Sequence, residues 1–379
     1  MSPMHQEQLG WQMMRRIHTT LRIDEAWTEW HDDGFTWWAH KVAQRFRFEG
    51  PVDVSGIETW WVAFETDFLK ITGADHDVAA TREKDLADDL NRKHGVLTAA
   101  PVGTRLVLRN RTYALEETMA HRCWQLGERA LFANILANRV VNAIDAGTST
   151  WERGIEPDVS AHPRNRTRSL PDEMLNVIDD VYRAKDMVLP APNVAEAVAT
   201  LEMGGFVRTG ERYVGDGLEG AVALERHDET WGGPIVVVID PEAQDELVGS
   251  GMRVRSVLPG AAEGVDEAGA RTVDAAWPES ADAARAETAD AARAETADAA
   301  RAETADAARS QALALNEAAW TTHEPLVGTG AWSAGPDGSL VHTSFYPRVS
   351  LAKQHVVGAV MEEMGHGVWG ARVARSIAR

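Results

Sequence analysis

Three short patterns in this chain bring together residue types that could do chemistry. Ser350-Leu-Ala-Lys353 has the Ser-x-x-Lys spacing in which a lysine one helical turn on helps to deprotonate a serine nucleophile. The Lys-Thr-Gly and Ser-Asp-Asn elements that accompany such a serine do not occur in the chain, so Ser350 reads as the N-cap of a helix. Glu363 and His366 are spaced as a carboxylate and an imidazole on one helix face, the arrangement of a bundle metal ligand pair. Such a centre needs a second pair and further glutamates on other helices, and Gly365 and Gly367 read instead as a fraying helix end. Gly328-Thr-Gly330 lacks the third glycine and the immediate helix of a dinucleotide-binding turn, and there is no phosphate-binding loop. His31 and His121 have no acid at a clear spacing and read as surface or partly buried imidazoles. The lone cysteine, Cys123, falls on the apolar face of a helix and reads as a core residue. From these patterns we expect no catalytic residue, no metal and no cofactor.

The tryptophans are the more informative set. Half of the 14 lie within the first 61 residues, including Trp27, Trp30, Trp37, Trp38, Trp60 and Trp61. Adjacent residues of a strand face opposite sides of a sheet, so one of Trp37 and Trp38, and one of Trp60 and Trp61, points away from the core unless both faces are covered. Helices or a second domain could cover both faces. Otherwise the six form an aromatic binding surface for an apolar peptide or partner, since Trp is enriched at interface hot spots and strand edges capture peptides.

Elements are needed to position any of these residues. The apolar residues Leu9, Met13, Ile17 and Leu21 recur every fourth position and predict a helix. Period-two alternation on either side of Asp32-Asp33-Gly34 predicts a hairpin that runs from Phe35 onward with Val42, Phe46 and Phe48 on one face and Arg45 and Arg47 on the other. Thr59–Leu69 alternates in the same way, Trp60, Val62 and Phe64 opposing Trp61, Ala63, Glu65 and Asp67. A helix over 82–94 stops at Gly95, read as its C′ glycine. Arg105–Arg109 and Thr112–Leu115 either pair with or continue one another across Asn110, with Val96–Ala99 as another partner. A long helix covers 116–144.

Beyond a polar linker, helices are expected from Ser169 and over 193–203, and strands over 206–214, 221–226 and 235–239. A helix over 311–320, a hairpin around Pro336-Asp337-Gly338 and a final helix over 350–364 complete the chain. Both halves read α-β-β-β-α-β-β-α, and the middle helix carries Leu90-Asn91 in one and Leu315-Asn316 in the other. The fold class expected is α+β, two tandem units each with an antiparallel sheet packed with helices. The domains are 1–147, a linker over 148–168, and 169–379 with an acidic insertion at 260–310. Within it, 279–310 are four near-identical octads of the type Glu-Thr-Ala-Asp-Ala-Ala-Arg-Ala. An octad advances about 80° around a helix, so no face persists and a coiled-coil seam is excluded. The repeat reads as a helical or partly disordered spacer with no large side chain to bury.

Composition bounds the function. Lys plus Arg number 38 against 58 Asp plus Glu, a formal charge of -20, and the basic residues form no long run, which argues against a nucleic-acid partner. A single cysteine fits a reducing cytoplasm and excludes a disulfide framework. No stretch is long and apolar enough for a membrane span, and no apolar leader is legible at the start.

Leu86-Ala-Asp-Asp-Leu-Asn91 with Gly95, Gly103-Thr-Arg-Leu-Val-Leu-Arg109, Tyr113 and the helix after Glu116 resemble the type III secretion chaperone-like and YbjN-like family in its tandem form. The second half carries a weaker version through Leu315-Asn316, 328–332, 338–345 and the last helix. The resemblance implies a non-enzymatic, cytoplasmic bacterial protein that binds a protein partner or a second copy of itself, with no nucleic acid and no membrane. The alternatives are an enzyme, a hydrolase or metal-dependent, whose site assembles only in three dimensions, and a scaffold that uses the octads as a spacer.

Overall fold

The computed structural model describes residues 3–38, 42–54, 56–72, 76–147, 155–158, 192–209, 220–229, 231–246, 248–259, 303–322, 324, 330–335, 337–348, 351 and 353–377. The chain is α+β. The first unit opens with α1 (Pro3–Thr20), whose Leu9, Met13 and Ile17 are buried at the spacing the sequence predicts. Strands β1 (Thr28–His31), β2 (Gly34–Trp38), β3 (Ala43–Val54) and β4 (Ile57–Ile71) follow, then α2 (His76–Lys93). The unit closes with β5 (Thr98–Val102), β6 (Arg105–Ala114) and α3 (Met119–Asp145). In the second unit α4 (Ala195–Met203) precedes β8 (Val207–Arg208), β9 (Val222–Asp228), β10 (Gly233–Asp245) and β11 (Gly249–Leu258). Helix α5 (residues 303–321), β12 (Ala331–Ala334), β13 (Leu340–Pro347) and α6 (Lys353–Ile377) complete it.

Both sheets are antiparallel and share one strand order. The first runs β1-β2-β3-β4-β6-β5 and the second β8-β9-β10-β11-β13-β12, which is the same permutation. The order of elements is therefore α-β-β-β-β-α-β-β-α in each half, one strand more than the sequence reading gives. In the first half the continuous reading from Phe35 to Phe48 merged β2 and β3, which pair with each other, Phe35 against Phe46. In the second, β11 lies between the last strand read from sequence and the insertion, and its half-polar alternation hid it. Of the alternatives at Asn110 the structure takes the continuous one: Arg105–Ala114 is a single strand, and its edge partner is β5.

Four further readings change. Within the expected linker, β7 (Ile155–Pro157) adds to β4 in the first sheet, and Asp158 just beyond it pairs with Arg105. The fourth octad is not spacer. Residues 303–310 are the first two turns of α5, Ala308 is buried in the second unit's core, and Arg309 reaches Asp85 of α2 at 2.8 Å. The other three octads, and the helix expected from Ser169, lie outside the described residues. Gly95 is not a left-handed cap: β13 of the other unit passes so close that a Cβ there would lie 2.8 Å from Thr343 and 3.0 Å from the Phe345 nitrogen.

Finally, the last helix does not fray at Gly365 and Gly367 but runs on to Ile377. A Cβ on Gly367 would meet Ile235 and Ser256 at 3.0 Å, and one on Gly370 would sit 2.2 Å from the Trp332 ring. These glycines bring α6 down onto its sheet, and the packing offsets the roughly 1 kcal/mol that glycine costs a helix interior.

Candidate functional site

The register locates what the two units have in common. Across the first sheet Trp37, Gln44, Thr66, Leu108 and Ala99 stand directly opposite one another in turn. Across the second, Leu224, Val237, Ser256, His342 and Trp332 do the same. At the β5 end of the first row, the buried Asn91 amide donates to Ala99 O at 3.0 Å and accepts from Ala99 N at 2.7 Å. At the β12 end of the second, Asn316 donates to Trp332 O at 2.9 Å and accepts from Trp332 N at 2.8 Å. Each middle helix thus pairs an edge strand with an asparagine side chain, supplying the donor and acceptor that a strand neighbour would have supplied.

Where the second row passes beneath α6 it holds a buried titratable cluster. Glu363 Oε1 accepts from Ser256 N at 2.9 Å and lies 2.9 Å from His342 Nδ1, while Ser256 Oγ donates to the Glu363 carbonyl at 2.7 Å. The His366 ring stacks on His342 with centroids 4.0 Å apart and planes 12° from parallel. Burial pushes the Glu363 carboxyl up to about 7 and the His342 imidazole down to about 3. An ionised pair would lose several kcal/mol of solvation per charge here, so the neutral forms are favoured. With Oε1 already accepting one N–H, an Nδ1–H tautomer of His342 completes the geometry and leaves Nε2 as an acceptor. A neutral imidazole oriented by a carboxyl is also the form in which a general base is held.

In front of this cluster lies a pocket between the units, lined in part by Trp61, Thr98, Arg109, Arg111, Trp320 and Trp332, with His342 and His366 at its base. Two outward-facing arginines of β6 build it. Arg109 pairs with Glu317 of α5 at 2.7 Å and lies over the Trp320 ring at 4.5 Å. Arg111 donates to Trp320 O and Thr322 O, both at 2.6 Å, so a cation satisfies carbonyls at the C-terminus of α5. The Arg111 guanidinium also lies 4.0 Å over Trp61. In return α2 docks on β12, where Asp88 accepts from Ala334 N at 2.9 Å, and Thr98 donates to Gly330 O at 2.7 Å. Phe345 is held by both of its backbone groups, its N–H on Gly95 O at 2.8 Å and its carbonyl on Arg129 at 2.9 Å.

The tryptophans singled out in the sequence do not form an open aromatic surface. Trp27, Trp37, Trp38, Trp60 and Trp61 are buried and Trp30 is half-buried. The alternation itself holds, with Trp60 in the core and Trp61 on the opposite face, but α5 and Arg111 cover that face. Glu363 and His366 do meet in one cluster, joined by His342 from β13 rather than by a second ligand pair. Among the described residues no group of three or more His, Cys, Asp or Glu is placed to hold a metal ion. Cys123 is buried against Met13 O and burial pushes its thiol up to about 12, so it is inert near neutral pH. Ser350 lies outside the described residues.

Sequence reasoning missed the inter-unit role of Arg109, Arg111 and Asp88. The one available signal was two arginines at alternate positions, Arg109 and Arg111, directly after the apolar run Leu106 to Leu108. No protein-family model matches the chain, and no curated protein and no solved structure matches it either.

Proposed function

We propose that this protein is a non-enzymatic, chaperone-like binding protein whose two units form a dimer within one chain. The observation that carries this reading is the shared strand order, with the equivalent Asn91 and Asn316 clamps at the edges where the units meet. The edges at which one unit could pair with a copy of itself are occupied here by the other unit, which favours another protein over a second copy as the partner. The opening left for it is the cleft between α3 and α6, the equivalent last helices of the two units. His121, Trp124, Gln125, Leu351, Gly358 and Glu362 are among its lining residues. Trp124 is 40% exposed, the only tryptophan among the large hydrophobic side chains exposed in the described residues. Partly exposed Trp in a cleft is the usual anchor of a protein interface.

A cytoplasmic location is part of the proposal, supported by the single buried thiol. Among the described residues no helix is long and apolar enough to cross a membrane. The test combines light scattering on the full chain with affinity capture by the wild type and by Trp124→Ala. A monomer that captures a defined protein and loses it on Trp124→Ala is expected; a stable homodimer, or capture unaffected by the substitution, would overturn the reading. A second reading, an enzyme with an acid-base centre, draws on the convergence of His342, Glu363 and His366. A hydrolase substrate screen in which no turnover is lost on His342→Gln argues against it.

A further inference from the structure

We propose that the pocket between β6 and α5 binds a small oxyanion, a carboxylate or phosphate group, with Arg109 as its principal donor. In a chain of net charge -20, the residues lining this pocket include Arg109, Arg111, His342 and His366 and no aspartate or glutamate. The Arg109 side chain is only 4% exposed, and its Nε has no hydrogen-bond acceptor among the described residues. The indole nitrogen of Trp332, in the same lining, is also buried without an acceptor. A buried guanidinium N–H left unmatched beside a cavity is unfavourable, and a ligand oxygen accepting from Arg109 would relieve it.

The carboxylate now on Arg109 comes from Glu317, whose side chain is 59% exposed. It reaches in from solvent and marks where a ligand anion fits. An outer recess, lined by Asp33, Arg47, Phe48, Glu49 and Ala63 among others, adjoins the pocket across Trp61, Arg111 and Trp320. The inner space is small, about 30 Å³, so it takes the anionic group alone, and any apolar body of the ligand lies in the outer recess of about 490 Å³. This site is independent of the α3/α6 cleft and of the chaperone-like reading.

The test is calorimetric titration of the full chain with inorganic phosphate and, separately, with benzoate in a buffer of low anion content. Saturable binding of either is expected, and which one binds tells phosphate from carboxylate. Glu317→Gln removes the competing charge while keeping a side-chain oxygen for Arg109, and is expected to tighten binding about tenfold; a thermal melt checks that it folds. Arg109→Gln is expected to abolish binding. If Arg109→Gln fails to fold, the Glu317→Gln result decides alone. No binding of either anion by wild type and Glu317→Gln, the outcome if the pocket holds only water, overturns the proposal. So does affinity unchanged by both substitutions.

Discussion

The two units bury polar groups at the same place in the sheet and fill it with different chemistry. In the first, Gln44 donates to Thr66 Oγ1 at 2.6 Å and to Ala130 O at 3.0 Å, and accepts from Asn134 at 3.0 Å beneath α3. Asn138 extends the chain to the Asn134 carbonyl. In the second, Ser256 takes the place of Thr66 and His342 that of Leu108, and α6 contributes Glu363 and His366. Four amides and hydroxyls specify the packing of α3 at any pH. The imidazole and carboxyl do the same for α6 only while both stay neutral. A buried polar node can thus hold the same place in two units while its coupling to protons differs.

The largest effect should come from the asparagine clamps. Asn91→Ala or Asn316→Ala strands a buried N–H and a buried C=O, and each is expected to cost about 2 to 5 kcal/mol in denaturant unfolding. If only one of them does, the equivalence of the units is broken. Gly370→Ala comes next: the new methyl would collide with Trp332, for a loss of about 1 to 3 kcal/mol. Gly365→Ala, where a Cβ meets nothing within 4 Å, should instead gain up to about 1 kcal/mol in the same helix.

The pH dependence separates the two nodes more finely. His342, lowered from 6.5 to about 3, refuses a proton that the unfolded chain accepts, so its contribution to stability falls as pH drops below about 6.5. Glu363, raised from 4.5 to about 7, keeps a proton that the unfolded chain releases, so its contribution falls as pH rises from about 4.5 to 7. Between roughly 4.5 and 6.5 the slopes oppose and cancel. Glu363→Gln should expose the histidine slope, up to about 1.4 kcal/mol per pH unit with stability rising toward neutrality. His342→Gln should expose the opposite slope, and Gln44→Leu should leave the pH profile unchanged; thermal melts across pH read all three. The smallest effect concerns the octads. Deleting any one of them should shift the melting temperature within error, because the neighbouring copy then precedes Gln311 and supplies the same Ala and Arg to α5.

Much of the fold was legible because burial here follows simple periods. The i, i+4 series of α1 and the run Cys123, Leu126, Ala130, Ala133, Ala137 and Val140 in α3 are core positions in the structure. The Leu-Asn dipeptides of the two middle helices, weak as a motif, mark equivalent positions because each asparagine does the same work on an edge strand. The extra strand of the first unit was hidden because no Gly, Pro, Asn or Asp separates β2 from β3, and that of the second because the alternation of β11 is half polar. The candidate site was least legible. Glu363 and His366 were visible as a pair, but nothing in the sequence placed His342 between them or Arg109 against Glu317.

By itself, the sequence determined the α+β class, a doubled order of helices and strands one strand short in each unit, and the lack of a complete linear catalytic motif. All of these depend on local propensity and on residues near one another in the chain. The tertiary structure alone decided that paired tryptophans are covered rather than displayed, that interior glycines press α6 onto its sheet, and that a neutral Glu–His cluster lies behind two arginines. Those outcomes depend on which surfaces meet across more than 200 residues of chain, as Arg109 meets Glu317, and on the burial that follows. No local pattern encodes that burial.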